Sequence, residues 1–166
     1  MSIKLGKNWV CWKEKHRPVS ALTGQQKGWT RNLATYAEAE QFCLDNEGYQ
    51  LGYCFSPDQP YVGLDIDSCV GSDGELEQWA KDIALHFVDS TVIVNRSVSG
   101  TGLKLILKCS DTIKRGVKFI EATQHGSHAP QVELFTSSKY FALAGVFQID
   151  HEAQEANLSS LSEVMG

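Results

Sequence analysis

The chain has 166 residues, of which 42% are hydrophobic and 21% charged, proportions that are typical of an ordinary globular domain and that argue against a disordered chain. Its apolar runs are strand-sized, none approaches the roughly 20 residues of a membrane span, and the N-terminus lacks the apolar core of a signal peptide. We therefore expect a cytoplasmic protein without a membrane partner. The five cysteines form no C-x-x-C pair, which favours buried free thiols over a disulfide framework or a zinc ribbon, with a zinc site at His125 and His128 as a weaker alternative.

The net charge of −5 is unevenly distributed along the chain. Residues 1–32 carry seven Lys/Arg against one Glu, residues 33–91 one Lys against twelve Asp/Glu, and residues 92–150 seven Lys/Arg against four Asp/Glu. A basic segment attracts phosphates, so the N-terminal cluster is a candidate nucleic-acid interface, with ordinary solvated side chains as the alternative. The candidate residues are Lys13, Lys15, Arg17, Lys27 and Arg31.

The predicted elements follow an α+β order. In chain order the sequence predicts a strand at the start of "KNWVCWKEKHRPV", turns in "ALTGQQKGWTRNLA", a helix in "TYAEAEQFCLDNEGY", strands in "QLGYCF" and "YVGLDID", a helix in "SDGELEQWAKDIALHF", strands in "STVIVNRSVS", "GLKLILKC", "GVKFIEA", "QVELFTS" and "KYFALAGVFQI", and a helix-prone tail. Thr35 and Glu38 form a capping box, and Leu76 to Phe87 show helical apolar spacing. This order of elements predicts an antiparallel-rich sheet. The sequence contains neither the G-x-G-x-x-G motif of a Rossmann unit nor a P-loop motif, which argues against those two nucleotide-binding folds.

Two aspartates interrupt the apolar strand "YVGLDID". Because side chains alternate faces along a strand, Asp65 and Asp67 project from one side while Leu64 and Ile66 fill the other. A buried charge is costly to desolvate unless it is paired. The pattern therefore predicts a cation beside the two carboxylates.

A third carboxylate and a glycine-rich turn follow. Glu133 stands between Val132 and Leu134, and if its strand neighbours "YVGLDID", three carboxylates converge as ligands for one or two Mg²⁺ or Mn²⁺ ions, a two-metal site. In "SVSGTGLKL" the glycines let backbone N–H groups approach phosphate, the serines donate hydroxyl bonds and the lysine adds charge. These residues are Ser97, Ser99, Gly100, Gly102 and Lys104. Taken singly, each feature is also explained by a solvated strand or a hairpin turn.

The ordered set "GLDID", "SVSGTGLKLIL" and "VELFTSSKYFALAG" resembles the three catalytic motifs of the archaeo-eukaryotic primase superfamily, and within it the primase-polymerase domains of phage and plasmid replication proteins. The leader "WVCWK", with a basic residue before Pro18, a T-G turn and an aromatic/Glu-Ala helix, is also similar to that group. The resemblance covers roughly residues 9–147.

The resemblance implies one domain over 1–166, with a small N-terminal α/β module (1–55) packed on a ferredoxin/RRM-like catalytic sheet (56–150) and a polar tail (151–166). It implies that Asp65, Asp67 and Glu133 are the catalytic metal ligands. The nucleotide would be held by Ser97, Ser99, Gly100, Gly102, Lys104 and Lys139, with Tyr140 against its sugar or base.

The implied activity is template-directed nucleotidyl transfer by a DNA primase or polymerase. Its partners would be a DNA template and primer, an NTP or dNTP, and a replicative helicase domain or protein, in the cytoplasm of a bacterial host cell. Many family members have His where this chain has Lys104, which keeps a positive charge but loses the titration of imidazole near neutral pH. A non-catalytic nucleotide or nucleic-acid-binding RRM-like module and a metal-dependent nuclease are the alternatives.

Overall fold

The computed structural model describes residues 4–14, 17–110, 131–137 and 139–160, and the statements below concern these residues. Lys15, the predicted strand "GVKFIEA" and the pair His125 and His128 lie outside them. In chain order the helices and strands are β1 (Trp9–Trp12), β2 (Pro18–Val19), α1 (Tyr36–Asp45), β3 (Gln50–Cys54), β4 (Tyr61–Asp67), α2 (Gln78–His86), β5 (Thr91–Arg96), β6 (Leu103–Lys108), β7 (Gln131–Phe135) and β8 (Tyr140–Ala142). No helix in the described ranges has the length and hydrophobicity needed to cross a membrane.

Helix α1 begins at a capping box, and helix α2 begins after a turn and an isolated bridge. The predicted capping box is present at α1, where Thr35 Oγ1 accepts from the Glu38 amide (3.2 Å) and Glu38 Oε1 accepts from the Thr35 amide (3.1 Å). Helix α2 begins later than predicted, because Gly74 has a positive φ of 80° and Leu76 pairs with Val70 in an isolated bridge.

The prediction of a helix-prone tail is wrong over residues 151–160, which form a turn, a stretch without regular secondary structure and a short 3-10 helix, Leu158–Ser160. The backbone amides of Gln154 and Ala156 donate instead to the carbonyls of Asp89 and Lys108, both at 2.8 Å. Two tail residues, Ala153 and Ala156, are buried. Packing against the sheets therefore overrides a weak local helix preference.

The described strands form two antiparallel four-stranded sheets, which confirms the predicted α+β class. The first sheet has the order β2-β1-β3-β8 and the second the order β5-β6-β4-β7. Strand β8 comes from the 56–150 segment, yet it pairs with β3, so the first sheet is built from both halves of the chain.

The back face of the second sheet is apolar on β4, β6 and β7. Leu64 and Ile66 of β4, with Leu105 of β6, pack there with Ala80 and Ile83 of α2 in one buried cluster. Because side chains alternate between the two faces of a sheet, the residues between these apolar positions project from the front face.

The front face of the second sheet changes character from one level to the next. The apolar row, one residue from each strand, consists of Ile93, Ile106, Gly63 and Phe135 in register. The polar row, two residues further along β4, consists of Asn95, Lys104, Asp65 and Glu133. Aromatic residues from the first sheet and its edges cover the apolar row and share a core cluster with it.

Candidate active site

Strand register brings two of the predicted carboxylates and the predicted lysine together. Asp65 lies directly opposite Lys104 of β6 and directly opposite Glu133 of β7. Directly opposed residues of an antiparallel pair project from the same face. Asp67, two residues along β4, is on that face as well. Glu133 is therefore on the same side of the sheet as both aspartates.

The partly buried carboxylate of Asp65 lacks a full set of hydrogen-bond partners among the described residues. Its Oδ1 is buried and has no hydrogen-bond partner among the described residues. Burial, and next the negative charge of Asp67, raise the pKa of Asp65 from its usual 3.8 to about 6, although Lys104 opposes this shift. Burial also raises the pKa of Asp67. The site is thus short of positive charge.

Lys104 lies between the carboxylates of β4 and the end of β8. Its Nζ donates to the Ala142 carbonyl (3.3 Å) and lies 5.3 Å from the ring centre of Phe141. Burial lowers the pKa of Lys104, while the negative charges of Asp65 and Asp67 act to raise it. The ammonium group is consequently held at one side of the row by a backbone carbonyl.

Asn95 is a site residue that the sequence analysis did not select. It is 5% exposed, its Nδ2 donates to the Ala144 carbonyl and its Oδ1 accepts from the Ala144 amide, both at 2.9 Å. These two hydrogen bonds to the Ala144 backbone hold the segment that also carries the Ala142 carbonyl, which accepts from Lys104. The available signal was a polar residue inside the strand "TVIVNR", directly comparable to the aspartates of β4.

Glu133 is paired with a lysine. Lys139 Nζ lies 2.6 Å from Glu133 Oε1, with side chains 50% and 27% exposed, and 4.6 Å from the ring centre of Phe135. Lys139, expected to contact a phosphate, therefore contacts a carboxylate here. Such a partly exposed pair is weak enough to open for an incoming anion.

The serine-glycine loop is the hairpin between β5 and β6, and it begins beside Asp67. Ser97 Oγ accepts from the Gly102 amide (2.8 Å) and lies 3.1 Å from Ser99 Oγ. A Cβ on Gly102 would lie 2.9 Å from the Ile66 carbonyl, 3.3 Å from Ser97 Oγ and 3.4 Å from Asp67 Oδ1. Gly102 thus lets loop and carboxylate approach closely, while exposed Gly100, with a positive φ of 79°, makes the turn.

The carboxylates of the polar row meet part of what Mg²⁺ or Mn²⁺ requires of its ligands. No three His, Cys, Asp or Glu side chains within the described ranges stand in an arrangement that could hold a metal ion. The unpartnered Asp65 Oδ1 and the hard carboxylate donors of Asp65 and Asp67 nevertheless suit such an ion. The aspartate pair therefore fits a divalent cation. Glu133, the predicted third ligand, is paired with Lys139 and would have to break this ion pair to join them.

The N-terminal basic residues that the structure describes are exposed: Lys13, Arg17, Lys27 and Arg31. The ring of Trp29 meets Tyr140 edge to face with centroids 5.5 Å apart, which brings the chain near Lys27 and Arg31 to β8, next to Lys139. Lys13 instead lies over the Tyr49 ring at 5.5 Å. Burial raises the pKa of Tyr140 to about 12.

Two of the N-terminal tryptophans are packing residues. Trp9 and Trp12 are 0% and 4% exposed, and their indole N–H groups donate to the carbonyls of Lys4 and Leu51. Base stacking at these two rings is thereby excluded in this conformation. Trp29, which is partly exposed, is the remaining ring of that group on the surface.

Neither a comparison with protein-family models nor a comparison with curated proteins gives a match. Any functional assignment therefore depends on the motifs and the geometry of the polar row.

Proposed function

We propose that the protein is a metal-dependent nucleotidyltransferase of the primase-polymerase type that extends a DNA primer on a template. The polar row carries this proposal: Asp65 lies in register between Lys104 and Glu133, and its Oδ1 is buried without a partner among the described residues. A carboxylate in that condition favours a cationic ligand. The order of the three motifs along the chain adds to this observation.

The reaction would join a primer 3′-hydroxyl to the α-phosphate of an NTP or dNTP, with release of pyrophosphate. Divalent metal held by Asp65 and Asp67 would supply charge neutralisation and a more acidic hydroxyl. Lys104, which is held against the Ala142 carbonyl, would contribute a fixed positive charge toward the phosphates. Lys139 would exchange Glu133 for a phosphate oxygen, releasing Glu133 as a third ligand.

The 97–102 hairpin would hold the triphosphate. Its serine hydroxyls bond to each other and to backbone in the described conformation, so binding would exchange these bonds for bonds to phosphate oxygens. Gly102 keeps the loop close to Asp67. The same carboxylate would then lie near both the metal and the nucleotide.

We also propose a ferredoxin-like arrangement for the catalytic sheet. Numbered from β4, its strands lie in the order 2-3-1-4 and all pairs are antiparallel, which is the order of a β-α-β-β-α-β unit. Helix α2 follows the first of these strands. The connection between β6 and β7 covers 109–130, of which 111–130 lie outside the described residues.

The remaining elements of the proposal concern partners. The exposed Lys13, Arg17, Lys27 and Arg31, together with Lys15, would contact the phosphate backbone of template or primer. A replicative helicase domain or protein in a bacterial host cell would supply the unwound template. The 1–55 and 56–150 segments would act as a substrate-holding module and a catalytic core.

The test is incorporation of labelled nucleotide into a primed DNA template with Mg²⁺ or Mn²⁺. Wild type should extend the primer, and Asp65→Ala and Asp67→Ala should lose this activity while remaining folded by circular dichroism. Asp58→Asn, at an exposed aspartate in the turn before β4, is the matched control and should retain activity. Metal-dependent extension by Asp65→Ala would contradict the proposal.

A non-catalytic nucleotide-binding or nucleic-acid-binding module is the second candidate. It is favoured by the two lysines, since Lys104 and Lys139 already neutralise part of the carboxylate charge without a metal. Nucleotide or single-stranded DNA binding without incorporation, unchanged when metal is removed, would support this function. Degradation of single-stranded DNA with metal and no nucleotide would instead indicate a nuclease.

A further inference from the structure

Two cysteines from different elements meet in the first half of the chain. Cys11 is on β1 and Cys43 is on α1, and their sulfur atoms lie 3.5 Å apart. Helix α1 rests on the face of the first sheet that carries Trp9 and Cys11, with Ala39 and Cys43 one helical turn apart on the contacting side. The contact follows from how this helix packs on the sheet.

The two thiols have different environments. Cys11 is 0% exposed and its Sγ donates to the Ala39 carbonyl (3.4 Å), whereas Cys43 is partly exposed. In the neutral pair Cys43 donates to Cys11. A hydrogen bond from Cys11 to the thiolate lowers the pKa of Cys43, and the same interaction raises the pKa of Cys11. Cys43 is thus the more easily ionised and the more accessible thiol.

The other three cysteines lack this combination. Cys54, Cys69 and Cys109 are all buried, and burial raises the pKa of both Cys54 and Cys69 to about 11. Thiolates are the reactive form, so buried thiols with raised pKa values react slowly. They provide controls within the same molecule.

We propose that Cys43 is a site of oxidation by hydrogen peroxide and that Cys11 converts the oxidised Cys43 to a disulfide. The Cys43 thiolate attacks one peroxide oxygen, the O–O bond breaks, and Cys43 becomes a sulfenic acid as hydroxide leaves. The Cys11 sulfur then attacks the Cys43 sulfur, an S–S bond forms as the S–O bond of the sulfenic acid breaks, and the hydroxyl group leaves as water with the Cys11 proton. Together the two thiols lose two electrons, and the peroxide is reduced to two waters.

The geometry permits the second step with a small movement. An S–S bond is about 2.05 Å long, so the sulfur atoms, which lie 3.5 Å apart, must approach by about 1.5 Å, and a rotation of the partly exposed Cys43 side chain contributes to this movement. The cross-link would fasten α1 to β1. It lies away from the polar row and does not depend on the proposed function.

The test is peptide mapping of the intact wild-type protein after exposure to hydrogen peroxide in moderate excess, with unreacted thiols alkylated before digestion. The expected product is a peptide pair joined through Cys11 and Cys43, reversed by dithiothreitol, with Cys54, Cys69 and Cys109 recovered as alkylated thiols. Equal or faster oxidation of those three cysteines, or loss of Cys43 without the joined pair, would overturn the proposal.

A variant separates the two steps. In Cys11→Ser a dimedone adduct should accumulate on Cys43, because the sulfenic acid has no thiol to attack it. Cys54→Ser, another buried cysteine at the end of its strand, is the matched control and should still form the joined pair. Absence of the adduct from folded Cys11→Ser would contradict the assignment of Cys43 as the attacked thiol, and the wild-type map decides the proposal if this variant does not fold.

Discussion

The apolar row and the polar row occupy adjacent levels of the same four strands, yet they meet opposite surroundings. At the apolar row, Phe55 and Phe141 reach down to Gly63, where an added Cβ would lie only 2.5 Å and 2.6 Å from their ring tips. One level further, the last residue of β8, Ala142, presents its backbone carbonyl, and Lys104 donates a hydrogen bond to it. The apolar row is buried, whereas the polar row is only partly shielded from water and its negative charge is only partly neutralised.

This difference teaches how a fold can hold charged groups away from water. The apolar row anchors the first sheet on the second, and the same anchoring partly covers the carboxylates beside it. Burial alone then accounts for the largest part of the raised pKa of Asp65. The stability of one row is therefore linked to the electrostatic state of the other.

Removing a fully buried aromatic side chain over the apolar row should have the greatest effect. Phe141 is 0% exposed and contacts Phe55 at a centroid distance of 4.9 Å. Phe141→Ala should lower the free energy of unfolding by about 3–5 kcal/mol, as measured by urea denaturation. Phe42→Ala, at a half-buried ring on α1, is the control and should lose less. Equal losses would mean that Phe141 does not join the sheets.

Filling the space at Gly63 should break the same contact from the other side. Gly63→Ala should lower the free energy of unfolding by about 1–3 kcal/mol, since neither ring can move away. The double variant Gly63→Ala/Phe141→Leu should lose less free energy of unfolding than the two single variants lose in sum, because a shorter side chain accommodates the new methyl group. Strictly additive losses in the two denaturation series would contradict the contact.

Neutralising Asp65 should stabilise the fold. Its pKa is raised from 3.8 to about 6, so between these values the folded state binds more protons than the unfolded state, and this group makes stability fall as pH rises. Asp65→Asn should therefore raise the free energy of unfolding at pH 7 by about 1–3 kcal/mol, with little gain at pH 3. Urea denaturation of the wild type and of Asp65→Asn at pH 7 and at pH 3 measures this gain in the free energy of unfolding.

Asp67→Asn is the matched control for that experiment, since it makes the same change on the same strand. We expect the same direction with a smaller gain, because Asp65 holds the buried oxygen without a partner among the described residues. Destabilisation by Asp65→Asn at pH 7 would show that the carboxylate is favourably paired and that the polar row is not short of positive charge.

The weakest effect is expected at the exposed end of the polar row. Lys139 and Glu133 form an ion pair with side chains 50% and 27% exposed, and such pairs contribute at most about 1 kcal/mol. A double-mutant cycle with Lys139→Ala and Glu133→Gln should give a coupling free energy below about 1 kcal/mol that shrinks in high salt. A larger, salt-insensitive coupling would indicate a buried pair.

Local patterns determined most of the described elements. Period-two alternation placed β4, strand-sized apolar runs placed β5 and β6, and the Thr35 and Glu38 pair marked the start of α1, because these signals act between residues close in the chain. Alternation also placed Asp65 and Asp67 on one face before any partner strand was known. The same local reasoning failed for residues 151–160, where backbone bonds to Asp89 and Lys108 replace those of a helix.

The tertiary structure decided what the local patterns left open. Only the register of three strands set Asp65 opposite both Lys104 and Glu133, and only the path after β8 assigned Asn95 its backbone partner. It likewise placed Cys43 beside Cys11. The physical reason is that pairing between distant segments depends on packing and chain closure, whereas alternation and capping are properties of neighbouring residues.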